Sequence, residues 1–421
     1  MGPLAKIAAV VLAISFMTFV AFFGRLPALR RTPVAWLYRL IWVYIPRAVM
    51  DLDQKLTSGR LTSSLSRFGT FIMYDKHPTV LIFFVLLLSV SQYIAVPLAW
   101  PLISAVQKLT LSMAVFFPYL FTYLAAFTDP GIIDPSNHAY HMSQYPYDFT
   151  LFYPGTDCRT CHLLKPARSK HCSVCKRCIS RMDHHCVFIN NCVGANNARW
   201  FLLCLFSTAV LTSYGGALGM SLVIERAVAR NPTWSMLPWR AVLSDGSPMS
   251  WSAWLLAWSW GLHERINIGA VSLLALLTSP LVWGLLGYNM WNVYTGVTTN
   301  ESMKWSDWKD EMEDGFAYKR KMGPDHPKDP RVEPMWTRWP VEADQVLVRT
   351  ENGRPPHPSL KLEGSGEWEQ VWRLKDVENL YDLGFWDNLI DVMVPGHCFN
   401  DSDMPAVERR GRSKATEAPV S

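Results

Sequence analysis

Little in this sequence speaks for nucleic acid, for secretion or for a repeat architecture. The chain of 421 residues carries a formal net charge of only +5, too small by itself to mark a protein that tracks a phosphate backbone. No segment recurs at a fixed period, which removes solenoids and propellers. Outside one short segment there are only two cysteines, Cys204 and Cys398. The spacing of the other seven is that of metal ligands rather than of a secreted disulfide framework, and it points to a reducing compartment. Cys204 lies in an apolar stretch and reads as a core or lipid-facing residue. Cys398, alone in the tail, reads as a buried or idle thiol, with self-acylation as the alternative. What the chain does have is hydrophobic residues, 50% of the total, gathered in blocks. That composition belongs to a membrane protein.

Five stretches are long and apolar enough to cross a bilayer, which takes about 20 residues: Leu4–Phe23, Thr79–Trp100, Ile103–Phe127, Trp200–Ile224 and Ile268–Tyr294. The second and third are separated only by the surroundings of Pro101 and form a helical hairpin. Lys108 belongs near the start of its helix, snorkelling to the surface. The first stretch lacks a small-x-small cleavage site, and Arg25, Arg30 and Arg31 follow it. It therefore reads as a signal anchor. Lys6 stands where myristoylation needs Ser or Thr. The many basic residues between Gly24 and Pro78 place that segment in the cytosol, and two further crossings put the cysteine cluster there too. The loop Glu225–Asn267 then falls on the far side, and its tryptophans suit the membrane interface. The span from Met322 to Pro358, dense in proline and charge, reads as extended or mobile. The end from Glu408 reads as disordered.

Between Cys158 and Cys192 the chain holds seven cysteines, four histidines and Asp183. Zinc takes four Cys or His ligands in a tetrahedron, and a Cys-x-x-Cys turn supplies two. Cys158 and Cys161 form one turn. Cys172, Cys175 and Cys178 offer a second in either of two registers. Adjacent side chains in extended backbone point to opposite faces, so His171 and Cys172 reach different metals. The preferred register gives site one as Cys158, Cys161, His171 and Cys178, and site two as Cys172, Cys175, His185 and Cys192. His162, beside a ligand, is left to solvent. Closed sites of this kind contribute on the order of 10 kcal/mol to folding, and they leave no open coordination position for metal-bound water.

Asp183, His184 and Cys186 remain. They have the composition of an activated thiol. A free thiol is mostly protonated at neutral pH. An imidazole can take its proton, and a carboxylate on the other ring nitrogen holds the tautomer. Residues at spacing two share a face of extended backbone, so His184 can reach Cys186 while His185 points away toward metal. Without this trio, a purely structural zinc module would be the better reading.

Asp183-His184-His185-Cys186 within this cysteine spacing resembles the DHHC family of protein S-acyltransferases. Other motifs agree with the resemblance: Asp129-Pro130-Gly131 after the third span, Asn197 with Phe201, Thr298-Thr299-Asn300-Glu301 after the last span, and the tail run from Asn379 through Tyr381 and Asp382 to Gly384. The resemblance implies a two-step transfer. Cys186 takes a long acyl chain, usually palmitoyl, from acyl-coenzyme A and passes it to a protein cysteine. His184 is implied as base, Asp183 as the orienting group, and Thr299 and Phe188 as residues at the acyl-donor site, with Thr299 hydrogen-bonding near Asp183. The membrane helices would tent the chain, and the Asp129 and tail motifs would brace them against the zinc domain.

Two features depart from the family. Val187-Phe188 follows the Cys where most members have Pro-Trp, and there is a span beyond the common four. With the segment Lys304–Tyr318, they resemble the fungal Swf-type branch. That likeness implies endoplasmic-reticulum residence and SNARE substrates with juxtamembrane cysteines.

The fold expected is thus an α-helical polytopic membrane protein with a small cytosolic two-zinc domain. It divides into an anchor and basic segment (1–78), a membrane hairpin (79–127), the zinc domain with the Asp129 motif (128–199), two further spans around a Trp-rich lumenal loop (200–294) and a cytosolic tail (295–421). The partners implied are membrane proteins and the bilayer, with no nucleic acid. The competing reading is a non-catalytic zinc-containing membrane scaffold or chaperone.

Overall fold

The computed structural model describes residues 32–323 and 326–400, together with Met17 and Val20. Apart from those two residues, the expected anchor over 4–23 lies outside the described residues, as does the tail from 401. The chain falls into two compact units, 1–76 and 77–421.

In the first unit, helix Pro33–Arg39 runs through a π-helical turn, Leu40–Tyr44, into helix Ile45–Thr57. A left-handed pair, Ser58 and Gly59, turns the chain into helix Arg60–Tyr74. These helices lie in the segment expected from its basic residues to be cytosolic. Its apolar residues are spaced for amphipathic helices rather than for a span.

Four helical stretches among the described residues are long and apolar enough to cross a membrane: Thr79–Leu102, Ala105–Phe127, Ala198–Arg230 and Ile266–Tyr294. They match the four spans expected after the anchor, the last two starting two residues earlier. Ser104 caps the second helix in a reciprocal box with Gln107. Lys108 sits in that first turn with its Nζ 5.7 Å from the Trp100 ring, the position expected for a snorkelling lysine.

Polar groups inside the helices find partners across them, as a medium without water demands. Tyr119 bonds Gln92 at 2.8 Å and Ser89 at 3.1 Å, and Thr110 meets Tyr214 at 2.6 Å. The third span is broken by a π-helical turn at Leu211–Gly215. Past it, Gly216 and Gly219 let the fourth span approach, since a Cβ on Gly219 would collide with Ser272 Oγ. The loop expected at the membrane interface contains a helix of its own, Trp251–Glu264, whose Trp254 and Trp258 enclose buried Trp234. Local aromatic packing, not lipid alone, orders that segment.

The cysteine-rich domain has very short strands. β1 (Ile132–Ile133) and β2 (Lys170–Cys172) flank β3 (Arg177–Ile179), and β4 (His184–Cys186) pairs with β5 (Asn191–Val193), all antiparallel. In the tail, β6 (Ala317–Lys321) lies between β7 (Gln345–Arg349) and β8 (Ser365–Gln370). The segment Met322–Pro358, read as extended or mobile, is extended at β7 and held there in the sheet. Val346 and Leu347 are buried there, and Trp339, also buried, donates to Leu380 O at 2.9 Å. Proline and charge set the composition of that segment, but a few apolar residues decide its structure.

The domain, the tail and the helix ends meet around buried charge. Arg168 and Glu301 each expose 1% of their side chains and form a two-pronged ion pair, Nε–Oε1 2.8 Å and Nη2–Oε2 2.6 Å. Arg168 also donates to Gly296 O, and its guanidinium lies 4.5 Å from the Tyr381 ring centre. Nearby, Asp391 on helix Phe385–Met393 receives Arg338, Arg181 at 3.0 Å and the Tyr145 hydroxyl at 2.8 Å. Burial alone would raise the Asp391 carboxyl, but Arg338, Arg181 and Arg168 hold it down at about 2.

Removing one partner from such a pair strands the other in a dry site, at a cost of roughly 3–5 kcal/mol. Glu301→Gln is therefore expected to lower the thermal midpoint of the detergent-solubilised chain sharply. Arg168→Met combined with Glu301→Leu should recover part of that loss, because neither charge is then left unmatched.

Candidate active site and metal quartets

Two turns of the same design start the metal sites. Cys161 N donates to Cys158 Sγ at 3.4 Å, and Cys175 N to Cys172 Sγ at 3.3 Å. Each turn closes on a left-handed residue, His162 in the first and Lys176 in the second. His162 is exposed and stands outside both quartets, as its reading as a solvated residue requires. Cross-strand pairing supplies the other ligands. His171 lies opposite Cys178 on β2 and β3, and His185 opposite Cys192 on β4 and β5. Pleat alternation then sends His171 and Cys172 to different quartets.

The resulting groups are Cys158, Cys161, His171, Cys178 and Cys172, Cys175, His185, Cys192, with ligand atoms within 4.8 Å of one another in each. These are the two sets expected from spacing. Tetrahedral zinc bonds of about 2.3 Å to sulfur and about 2.0 Å to nitrogen put S···N edges near 3.6 Å and S···S edges near 3.8 Å. In the first quartet, His171 Nδ1 is 3.5, 3.4 and 3.8 Å from Cys158, Cys161 and Cys178. In the second, His185 Nδ1 is 3.8, 3.4 and 3.6 Å from Cys172, Cys175 and Cys192, and Cys175 and Cys192 are 3.6 Å apart.

The charge balance calls for a cation as well. Hydrogen bonds from Cys175 and Cys192 hold the Cys172 thiol down, while the same crowding by Cys172 and Cys175 pushes Cys192 up. A cation bound among these sulfurs relieves that conflict. Both quartets can bind zinc.

β4 carries the rest of the site. His185 faces the second quartet, so His184 and Cys186 share the other face. His184 Nδ1 donates to Asp183 Oδ2 at 2.6 Å, which leaves Nε2 for the Cys186 side. Asp183 is fixed in turn by Thr299, whose backbone N–H donates to Oδ1 and whose hydroxyl donates to Oδ2 at 3.1 Å. Burial pulls His184 toward its neutral form. Hydrogen bonds with Asp183 and Cys186 outweigh it and carry the imidazole up to about 10. Burial likewise pushes Asp183 up, and the bonds from His184 and Thr299 bring it net below the ordinary carboxyl range. Phe201 packs edge-on against the His184 ring at 5.4 Å.

Cys186 is 8% exposed and packs with Phe201, Leu202, Leu205, Leu286 and Val293 at the ends of the third and fourth spans. Further along those helices an apolar cavity is lined by Leu88, Val96, Leu111, Val115, Leu218 and Ile268. From Leu205 to Leu218 the helix rises about 20 Å. Phe188, beyond Cys186, is exposed and meets Phe84 of the first span edge-on at 6.2 Å.

Asparagines tie β4–β5 to the membrane helices. Asn191, directly opposite Cys186, donates to Ala126 O at 3.1 Å and Thr128 O at 3.0 Å at the end of the second span. Asn197 donates to Ala125 O and Cys192 O and accepts from Gly194 N. Gly194 is a required glycine, because a Cβ there would strike Pro130 O and Ile179. The Asp129 motif thus docks backbone to backbone, with Asp129 Oδ1 accepting from Gly131 N and Ile132 N.

A DHHC palmitoyltransferase family model matches residues 152–306. Palmitoyltransferase SWF1 of Neurospora crassa is 59% identical, over 99% of this chain and 96% of that protein. The chain belongs to the DHHC palmitoyltransferase family. It is a protein S-palmitoyltransferase, and the Swf-type likeness holds over nearly its whole length. Palmitoyltransferase swf1 of Emericella nidulans is 41% identical over 93% of this chain and 97% of its own. Palmitoyltransferase ZDHHC4 of Bos taurus is 41% identical over 32% of this chain and 41% of its own.

Sequence reasoning missed Asn191 and the buried set of Tyr145, Arg181, Arg338 and Asp391. No local pattern marks them, since each gains its meaning from a partner far away in the chain.

Cys175→Ser is expected to bring bound zinc from about two ions per chain to about one and to reduce abundance, because zinc ligation is folding energy. Cys186→Ser should leave zinc near two. Metal analysis of the purified variants by mass spectrometry measures both.

Proposed function

We propose that Cys186 is the nucleophile, His184 its base and Asp183 the group that orients the imidazole. The observation that carries the reading is the single face of β4 on which His184 and Cys186 meet, with Asp183 anchored by Thr299. Before the first step His184 Nε2 already holds the proton given up by Cys186, as the raised basicity of the imidazole favours. The thiolate attacks the carbonyl carbon of a long-chain acyl-coenzyme A, the C–S bond to the coenzyme breaks, and its thiolate leaves with the proton from His184. In the second step a substrate cysteine gives its proton to His184 and attacks the Cys186 thioester, and the acyl chain passes to it as Cys186 Sγ leaves.

Thr299 serves the site through Asp183, and Phe188, two residues after Cys186, packs on Phe84 of the first span at the acyl-donor side. The apolar cavity takes the far end of the acyl chain. The two quartets would hold two zinc ions, and that ligation would fix the backbone around β4. A closed ligand set leaves them no direct part in the chemistry.

The cysteine-rich domain and the tail lie in the cytosol, on the reading that basic residues mark that side. The Swf-type likeness supports endoplasmic-reticulum residence and juxtamembrane SNARE cysteines as substrates. A reactive sulfur at the membrane surface reaches only cysteines held near it, and each methylene added to a substrate anchors it by about 0.8 kcal/mol.

Cells fed a clickable palmitate analogue should show hydroxylamine-sensitive label on the wild type and none on Cys186→Ser. Label that survives this change rejects the nucleophile assignment. His184→Ala should slow autoacylation by 10²–10⁴-fold, the usual worth of general-base help, with zinc still near two per chain. Zinc lost with His184 would mean that the two histidines have exchanged roles.

A further inference from the structure

The first unit presents an apolar surface that nothing among its described residues covers. Along helix Ile45–Thr57, Ile45, Val49, Leu52 and Leu56 recur at helical spacing and form one narrow stripe. These residues are 49%, 47%, 57% and 74% exposed. Along helix Arg60–Tyr74, Leu61, Leu65 and Phe68 do the same, at 56%, 57% and 60%. Soluble surfaces rarely leave such contiguous patches uncovered.

The hairpin itself is well built. Asp53, 5% exposed, accepts from the Thr62 N–H at 2.8 Å, from its hydroxyl at 2.6 Å and from the Thr57 hydroxyl. Gly59 N closes the turn on Asp53 O at 3.2 Å. One of the hairpin's two acidic residues is thereby used inside the turn, leaving Asp51. Against it stand Arg47, Lys55, Arg60 and Arg67, none of them in an ion pair among the described residues.

We propose that residues 45–74 form a membrane-surface hairpin that seats its two apolar stripes in the headgroup region of anionic phospholipid. Two observations select lipid as the occupant. The cationic flanks complement an anionic surface, each such residue being worth about fivefold in partition. The hairpin is also tethered to the bilayer, since only residues 75–78 separate it from the membrane-spanning helix that starts at Thr79. Four residues reach at most about 14 Å. Amphipathic helices with leucine and phenylalanine on one face and Lys or Arg on the other lie in the interface plane.

The test uses the full chain, purified and reconstituted in vesicles of phosphatidylcholine alone or with phosphatidylserine. A photoreactive benzoylphenylalanine replaces Leu56, Leu65 or, on the polar side, Asp51. Phospholipid adducts are expected at Leu56 and Leu65 at about ten times the yield at Asp51, with yield raised by phosphatidylserine. The combined change Arg47→Gln, Lys55→Gln, Arg60→Gln and Arg67→Gln should remove the phosphatidylserine preference. Equal yields at the three positions overturn the proposal. So do adducts to a second copy of the chain or to another protein in place of lipid, or a phosphatidylserine preference that survives the four substitutions.

Discussion

A guanidinium shut away from water must find its counter-charge inside the protein, and the assembly of the domain, tail and helix ends follows from that need at Arg168. The residue comes from the cysteine-rich domain, Glu301 from the helix after the last span, Tyr381 from the tail and Gly296 from the turn between. Each of these segments leaves a polar or aromatic group unmatched if any other is withdrawn. Next to it, Asp391 repeats the logic with Arg181 and Arg338. A domain whose strands run two or three residues has little apolar surface to bury, so charge matching, with two quartets able to hold metal, stands where a larger core would otherwise be.

The same economy shapes the site. One three-residue strand, β4, turns its middle residue to the second quartet and sets the residues on either side, His184 and Cys186, on the opposite face. The pleat enforces this division, since a slip of one residue would exchange the two faces. Thr299 then couples the strand to the helix that also bears Glu301. The Thr298–Glu301 segment therefore does two jobs. Its second residue fixes the Asp183 carboxylate, and its fourth caps its own helix while holding Arg168.

Much of this was legible in the sequence because the determinants are local. Cys-x-x-Cys spacing marked both quartets, and alternation of adjacent residues helped to favour one of the two registers for Cys172 and Cys178, the one the structure has. Runs of about twenty apolar residues gave the four described spans. The features that escaped depend on distant partners. Asp391 looks like any solvent-facing residue of a short amphipathic helix until Arg181, more than two hundred positions earlier, is brought beside it. Trp339 and Val346 were hidden by the proline and charge around them. The helices of residues 45–74 escaped because the basic residues there answered a question of topology, and their apolar spacing was left unread.

Asn191 faces Cys186 across the β4–β5 ladder and hangs from carbonyls at the last turn of a spanning helix. That single amide acts as a ruler. It ties the elevation of the sulfur to the end of a rod whose own height is set by bilayer thickness. Under the proposed chemistry, selection among client proteins becomes partly a matter of altitude. A cysteine one helical turn too high or too low on its client is out of reach, whatever residues surround it.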